Sequence, residues 1–146
     1  MKKIIISTLS IGLLIAACAT NPVTGRKSLS LVSNTQLFPQ SFAQYNEVLK
    51  ESKVITGTTD AKMVQTVGER LKYAAEKYYQ QLGISSDLNG YQWQFALLDN
   101  NQVNAWCMPG GKVAIYSGIL PVTKNATGLA VVMGHEIGHA LAGHSV

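Results

Sequence analysis

Acidic residues are scarce in this chain. Eight Asp and Glu stand against twelve Lys and Arg in 146 residues, and after Asp99 the one remaining carboxylate is Glu136. Glu47, Glu51, Asp60, Glu69, Glu76, Asp87 and Asp99 show no spacing that would bring them to a common site. Cysteine is scarcer, with Cys18 and Cys107 alone. If Cys18 is spoken for at the N-terminus, Cys107 has no intramolecular partner, and a disulfide framework is excluded. The excess of positive charge is small, and no basic run accompanies it, which argues against nucleic acid as a partner. No internal repeat or low-complexity tract is present. The chain has three histidines, and all of them fall between Val131 and Val146.

The N-terminus carries the one long apolar run. Met1-Lys2-Lys3 is basic, and residues 4–17 are free of charge. The run is short of the ~20 residues that span a bilayer, and it has no polar face of the kind a surface helix shows. A basic start, an apolar core and small residues before a cut site make residues 1–17 a predicted signal peptide. Leu14-Ile15-Ala16-Ala17-Cys18 resembles a bacterial lipobox, so Cys18 is expected to be the lipidated first mature residue. Several acyl chains anchor a protein stably to a membrane surface. Ala19 is not aspartate, which favours an outer-membrane location facing the periplasm. Without Lys2 and Lys3 the formal charge falls from +4 to +2.

Residues 18–34 are turn-rich and read as a tether. Leu37, Phe42, Tyr45, Val48 and Leu49 then recur at helical spacing over 36–50. Pro39 lies near the start, where proline is tolerated. Residues 51–59 read as a loop. A second helix is predicted from a cap at Thr59 or Asp60 to a stop at Gly83. Its expected apolar stripe is Val64, Val67, Leu71, Ala74, Tyr78 and Leu82. Tyr91, Trp93, Phe95 and Leu97 alternate as a half-buried strand. Pro109-Gly110-Gly111 makes a turn into a second strand over 113–116. Residues 118–126 connect to a third helix that starts near Asn125 or Thr127. Helices followed by strands and a helix predict an α+β domain over residues 35–146 with a small sheet.

The third helix carries His135-Glu136-Ile137-Gly138-His139. Four residues advance a helix by slightly more than a turn, so both imidazoles leave one face and can hold one ion. Neutral imidazole ligates zinc at ~2.0–2.1 Å. Glu136 lies about 100° further around the helix, beside the ion, where a carboxylate can take a proton from an attacking water. Zn2+ is therefore the expected cofactor, one per subunit. Apolar flanks at Leu129, Val132, Met133, Ile137 and Leu141 argue against a chance pattern on a solvated face. Gly134 and Gly138 lower helix propensity and suggest close packing of another backbone. The longer pattern with a third histidine would need glycine at 142 and histidine at 145, where this chain has Ala142 and Ser145. His144 sits ~140° from His139 around the axis. A supporting position, a substrate-side position and a plain histidine all stay open for it. With no acid after Glu136, the third ligand is expected outside this chain, which reads as the N-terminal part of a longer protein.

Three segments carry a family resemblance. They are Asn21-Pro22-Val23-Thr24-Gly25-Arg26-Lys27 with Leu31-Val32-Ser33; Asn104-Ala105-Trp106-Cys107-Met108-Pro109-Gly110-Gly111 leading into residues 113–118; and Ala130 to His144. Together they resemble the zinc metallopeptidases related to HtpX and the CAAX prenyl proteases, in their periplasmic lipoprotein, BepA-like branch. The resemblance implies a zincin-like fold with its sheet packed on the H-E-x-x-H helix. It implies His135 and His139 as ligands, Glu136 as general base, and residues 104–116 as a sheet edge over the helix. Asn104, Ala105, Pro109 and Gly110 would then meet substrate, and an extended peptide could pair with the edge. Unfolded or misassembled envelope proteins are the implied substrates. The family's third ligand is a glutamate on a later helix, so residues 1–146 alone are expected to be inactive. Asn104 shaping only a turn and Cys107 filling only the core are the plainer alternatives. The rival to a peptidase is a non-catalytic chaperone or assembly lipoprotein that holds chains in the same cleft.

Overall fold

The computed structural model describes residues 18–20, 25, 27–29 and 34–143. The chain divides after Leu31 into two compact units. In the first, β1 (Cys18–Thr20) pairs antiparallel with β2 (Lys27–Leu29), with Cys18 opposite Leu29. The expected tether thus contains a short strand pair. The expected signal peptide, residues 1–17, lies outside the described residues, as does His144.

The second unit opens with α1 (Asn34–Glu51). Phe38, Ser41 and Tyr45 are buried at helical spacing along one face. Two residues, β3 (Val54–Ile55), pair with a later strand inside what the sequence reads as loop. The α2 helix (Thr59–Gln81) follows. Thr58, one residue earlier than expected, caps it: its hydroxyl accepts from the Ala61 N–H at 3.1 Å. Gly83 ends it at a φ of +71°, where a Cβ would be strained. Then come β4 (Gln94–Leu98), β5 (Ala105–Met108) and β6 (Lys112–Tyr116). A short α3 (Leu120–Thr123) interrupts the connection to α4 (Ala126–Leu141).

The sheet order is β3-β4-β6-β5. The central pair β4 and β6 runs parallel, and both outer pairs are antiparallel. Strand residues alternate between two cores. Phe95, Leu97, Val113, Ile115, Ala105 and Cys107 pack with α2 and α4, around Val64, Leu129, Met133 and Ile137. Ala96, Leu98, Ala114, Trp106 and Met108 pack with α1, around Tyr45. The layers are therefore α1, sheet, and α2 with α4, a mixed arrangement of helices and one small sheet. Tyr45 is fully buried, and its hydroxyl donates to the Val113 carbonyl at 2.8 Å.

The expected stripe on α2 holds at Val64, Val67 and Leu71 and then fails. Tyr78 and Leu82 are exposed, and Tyr79 is buried instead. The observed face, Ala61, Val64, Val67, Gly68 and Tyr79, follows a straight helix. The expected set keeps the same 3.6-residue repeat, so the two differ by rotation: the buried face is turned toward Gly68 and Tyr79. The expectation for Gly134 and Gly138 is also corrected. A Cβ on Gly134 would sit 3.6 Å from Leu71, an ordinary contact, and one on Gly138 would meet nothing within 4 Å among the described residues. The tight glycine on this side is Gly68, against which the Phe95 ring lies flat.

Candidate active site

Helix α4 is oriented by its apolar residues. Leu129, Met133 and Ile137, four apart, are buried and fix the helix against α2 and β5. Asn125 starts it: the backbone is extended there, and Oδ1 accepts from the Gly128 N–H at 3.0 Å. With that face committed to the core, the opposite face must carry His135 and His139. Both are exposed, and Glu136 is half-buried between the two faces.

The two imidazoles converge. Their Nε2 atoms are 3.0 Å apart, and the rings meet nearly at right angles, 86°. Two nitrogens sharing one zinc at ~2.0–2.1 Å each, near the tetrahedral angle, lie about 3.3 Å apart. The pair is thus within a small side-chain adjustment of a shared ion, and the donor type suits zinc. Among the described residues no cluster of three or more His, Cys, Asp and Glu side chains gathers.

Glu136 is half-buried, and its charge reaches Cys107 of β5. Burial pushes the Cys107 thiol up to about 12, and the charge of the Glu136 carboxylate adds to that rise. Cys107 is therefore a neutral, half-buried thiol beside the carboxylate. Its place among core residues agrees with the plainer reading of it. Its nearness to Glu136 was not readable from the sequence, since 29 positions separate the two.

Of residues 104–116, for which the resemblance implied an edge, β6 is central, between β4 and β5, and β5 is an edge. The phase of its ladder is set by the Tyr116 N–H, which donates to the Asn104 carbonyl at 3.1 Å. Bonded pairs recur every second residue in an antiparallel ladder. Trp106 and Met108 therefore bond inward to β6, while Ala105 and Cys107 turn their N–H and C=O groups outward. The Ala105 N–H is met by Asn104 Oδ1 at 2.9 Å. Asn104 is exposed at the strand's start. Pro109 lies at the far end, where its carbonyl accepts from Ser41 Oγ at 2.7 Å. Gly110 is buried in the turn against the Phe42 ring, and its carbonyl accepts from the Gln92 N–H. Of the four expected substrate residues, Asn104 and Ala105 lie on the open edge, and Pro109 and Gly110 shape the turn that fixes it.

A helix that brings two exposed imidazoles to 3.0 Å, with a half-buried carboxylate next to the first in sequence, offers the donors of a metal site. Residues 65–146 match peptidase family M48, which takes in β4 to β6 and all of α4. The chain belongs to this family. It is 40% identical over 60 residues to the mitochondrial metalloendopeptidase OMA1 of Arabidopsis thaliana, covering 41% of this chain and 12% of that protein. It is 29% identical over 125 residues to the human metalloendopeptidase OMA1, covering 86% of this chain and 23% of that protein. It is 31% identical over 84 residues to the metalloprotease YcaL of Escherichia coli, covering 54% of this chain and 33% of that protein. The chain thus spans no more than a third of the length of these relatives.

Proposed function

We propose that the protein is a zinc-dependent metalloendopeptidase of zincin-like fold. The observation that carries this is the convergence of His135 and His139 on the exposed side of α4, with the half-buried Glu136 beside His135 in sequence. His135 and His139 hold the ion through Nε2. When bound, zinc supplies Lewis acidity, which acidifies water and polarises a carbonyl. Glu136 accepts the proton of the attacking water and returns it to the leaving amine. The outward groups of Ala105 and Cys107 pair with an extended peptide, so many sequences can be held in one geometry. The Asn104 side chain yields the Ala105 N–H to the peptide as it arrives.

The remaining ligand is a carboxylate outside the described residues, and residues 1–146 alone are inactive. The much greater length of the relatives supports that reading. The chain falls in the periplasmic lipoprotein branch, anchored through acyl groups on Cys18 at the outer membrane. Its substrates are unfolded or misassembled envelope proteins. The lipobox at 14–18 supports the anchor, and similarity to a bacterial metalloprotease supports the setting. Among the described residues no helix is long and apolar enough to cross a membrane.

Glu136→Gln separates this reading from a chain-holding chaperone. The variant should keep zinc, measured by metal analysis of the purified full-length protein. It should lose cleavage of an unfolded protein by about 100-fold or more, the scale of general-base catalysis. Chelation should abolish wild-type cleavage, and zinc should restore it. Undiminished cleavage by the variant would remove Glu136 from the chemistry, and a protein that holds unfolded chains but never cuts them would favour the chaperone.

A further inference from the structure

An extended peptide beside β5 has side chains on two faces, and one of those faces lies away from α4. We propose that the groove between α1 and the outer edge of β5 is a second substrate subsite, selective for uncharged side chains. The inference rests on the peptidase reading above and adds a rule for which substrate positions are read.

The rule follows from strand geometry. Residues directly opposite in a sheet share a face, and successive residues alternate. Cys107 faces α4, so the peptide residue opposite it points to the α4 side. Trp106 and Met108 face α1, so the peptide residues on either side point to α1. There the structure has a groove of about 330 Å³, lined by Leu37, Gln40, Ser41 and Gln44 of α1 with Trp106 and Met108 of β5. Trp106 and Met108 are two residues apart on the strand, about 7 Å, so the groove spans two alternate positions of a bound chain.

The lining sets the chemistry. Leu37, Trp106 and Met108 make an apolar floor. Gln40 and Gln44 make a neutral amide rim. The Ser41 hydroxyl is already engaged with Pro109. No carboxylate or ammonium lines the groove among the described residues. A charged side chain entering it would lose water and gain no counter-charge, which is costly. An uncharged side chain buries apolar area and can still meet an amide at the rim. Charged residues are therefore rejected at the two positions that face α1, while the position between them reads the α4 face instead.

Gln44 is exposed on α1, so Gln44→Glu and Gln44→Lys should leave the fold intact. Full-length zinc-loaded wild type and both variants would digest a mixture of unfolded proteins, with cleavage sites mapped by mass spectrometry. Wild type should disfavour charged residues at alternate positions around the cut. The two variants should shift the basic-to-acidic preference in opposite directions, about fivefold each, the upper range for one exposed charge contact, at those alternate positions alone. Cleavage with an unchanged profile in both variants would overturn the subsite and leave the peptidase standing. If no form cleaves, the peptidase reading falls. The subsite is then judged by binding of labelled extended peptides carrying Lys or Glu at alternate positions. A reversal of preference between the variants would uphold it, and equal binding would overturn it.

Discussion

At the scale of single residues, the site depends on positions whose value is an absence of atoms. Gly68 lies in the middle of α2, where glycine costs helix stability of about 1 kcal/mol relative to alanine. Propensity alone would make Gly68→Ala stabilising. The Phe95 ring decides otherwise, because it occupies the place of the missing Cβ. Phe95 is buried in the same core that seats α4. Moving its ring forces off-rotamer side chains into a packed layer, at about 1–3 kcal/mol. The clash wins. Gly68→Ala should lower the midpoint of thermal unfolding, and a rise would show that the ring can slide at no cost. Nothing in the sequence marks this contact, since it joins a helix to a strand 27 positions later.

The elements were legible in unequal measure. Helix α4 reads well because three independent signals coincide: a cap at Asn125, apolar residues four apart, and a motif that makes chemical sense on a helix alone. Its cap gives an element-scale expectation. Asn125→Ala removes the acceptor for the Gly128 N–H, and such losses typically cost ~1 kcal/mol. Hydrogen exchange should speed up in the first turn of α4, while His135, more than two turns further on, keeps its place and zinc affinity. A loss of zinc with the cap would mean that α4 forms as one brittle unit. By contrast, β5 has no alternation to read. Ala105, Trp106, Cys107 and Met108 are all apolar or nearly so, because helices cover both faces, and only the resemblance suggested an edge here. The two residues of β3 are too few to show any period. The C-terminal half of the α2 stripe fails because Tyr78 and Tyr79 are adjacent tyrosines, and the sequence does not say which is inside.

At the scale of the whole molecule, the cores hold several titratable groups in neutral form, and that makes stability depend on alkaline pH. Burial raises Tyr45 and Tyr91 above the usual phenol value, and burial together with Glu136 raises Cys107 to about 12. For each, the folded state keeps a proton that the unfolded chain releases. The associated stability is whole below about pH 8, where unfolded cysteine and tyrosine are still protonated, and is lost as pH rises through the folded values. Lys112 works in the other direction. It is buried beneath α1 with its ammonium over the Phe42 ring at 4.7 Å, and burial lowers its pKa. The unfolded chain holds that proton longer, so this contribution improves with pH below about 10.5. Burial raises Tyr79 as well, so the raised groups outnumber the one lowered, and the net effect is destabilisation. With metal chelated, the thermal midpoint should fall steadily from about pH 9 to about pH 11. Tyr45→Phe should be less stable near pH 8, because the bond to the Val113 carbonyl is gone, but its midpoint should fall less steeply, because one of the raised groups no longer titrates. Parallel slopes for the two proteins would mean that the hydroxyl of Tyr45 is not held neutral by the fold, and that the layer between α1 and the sheet is wetter than its packing indicates.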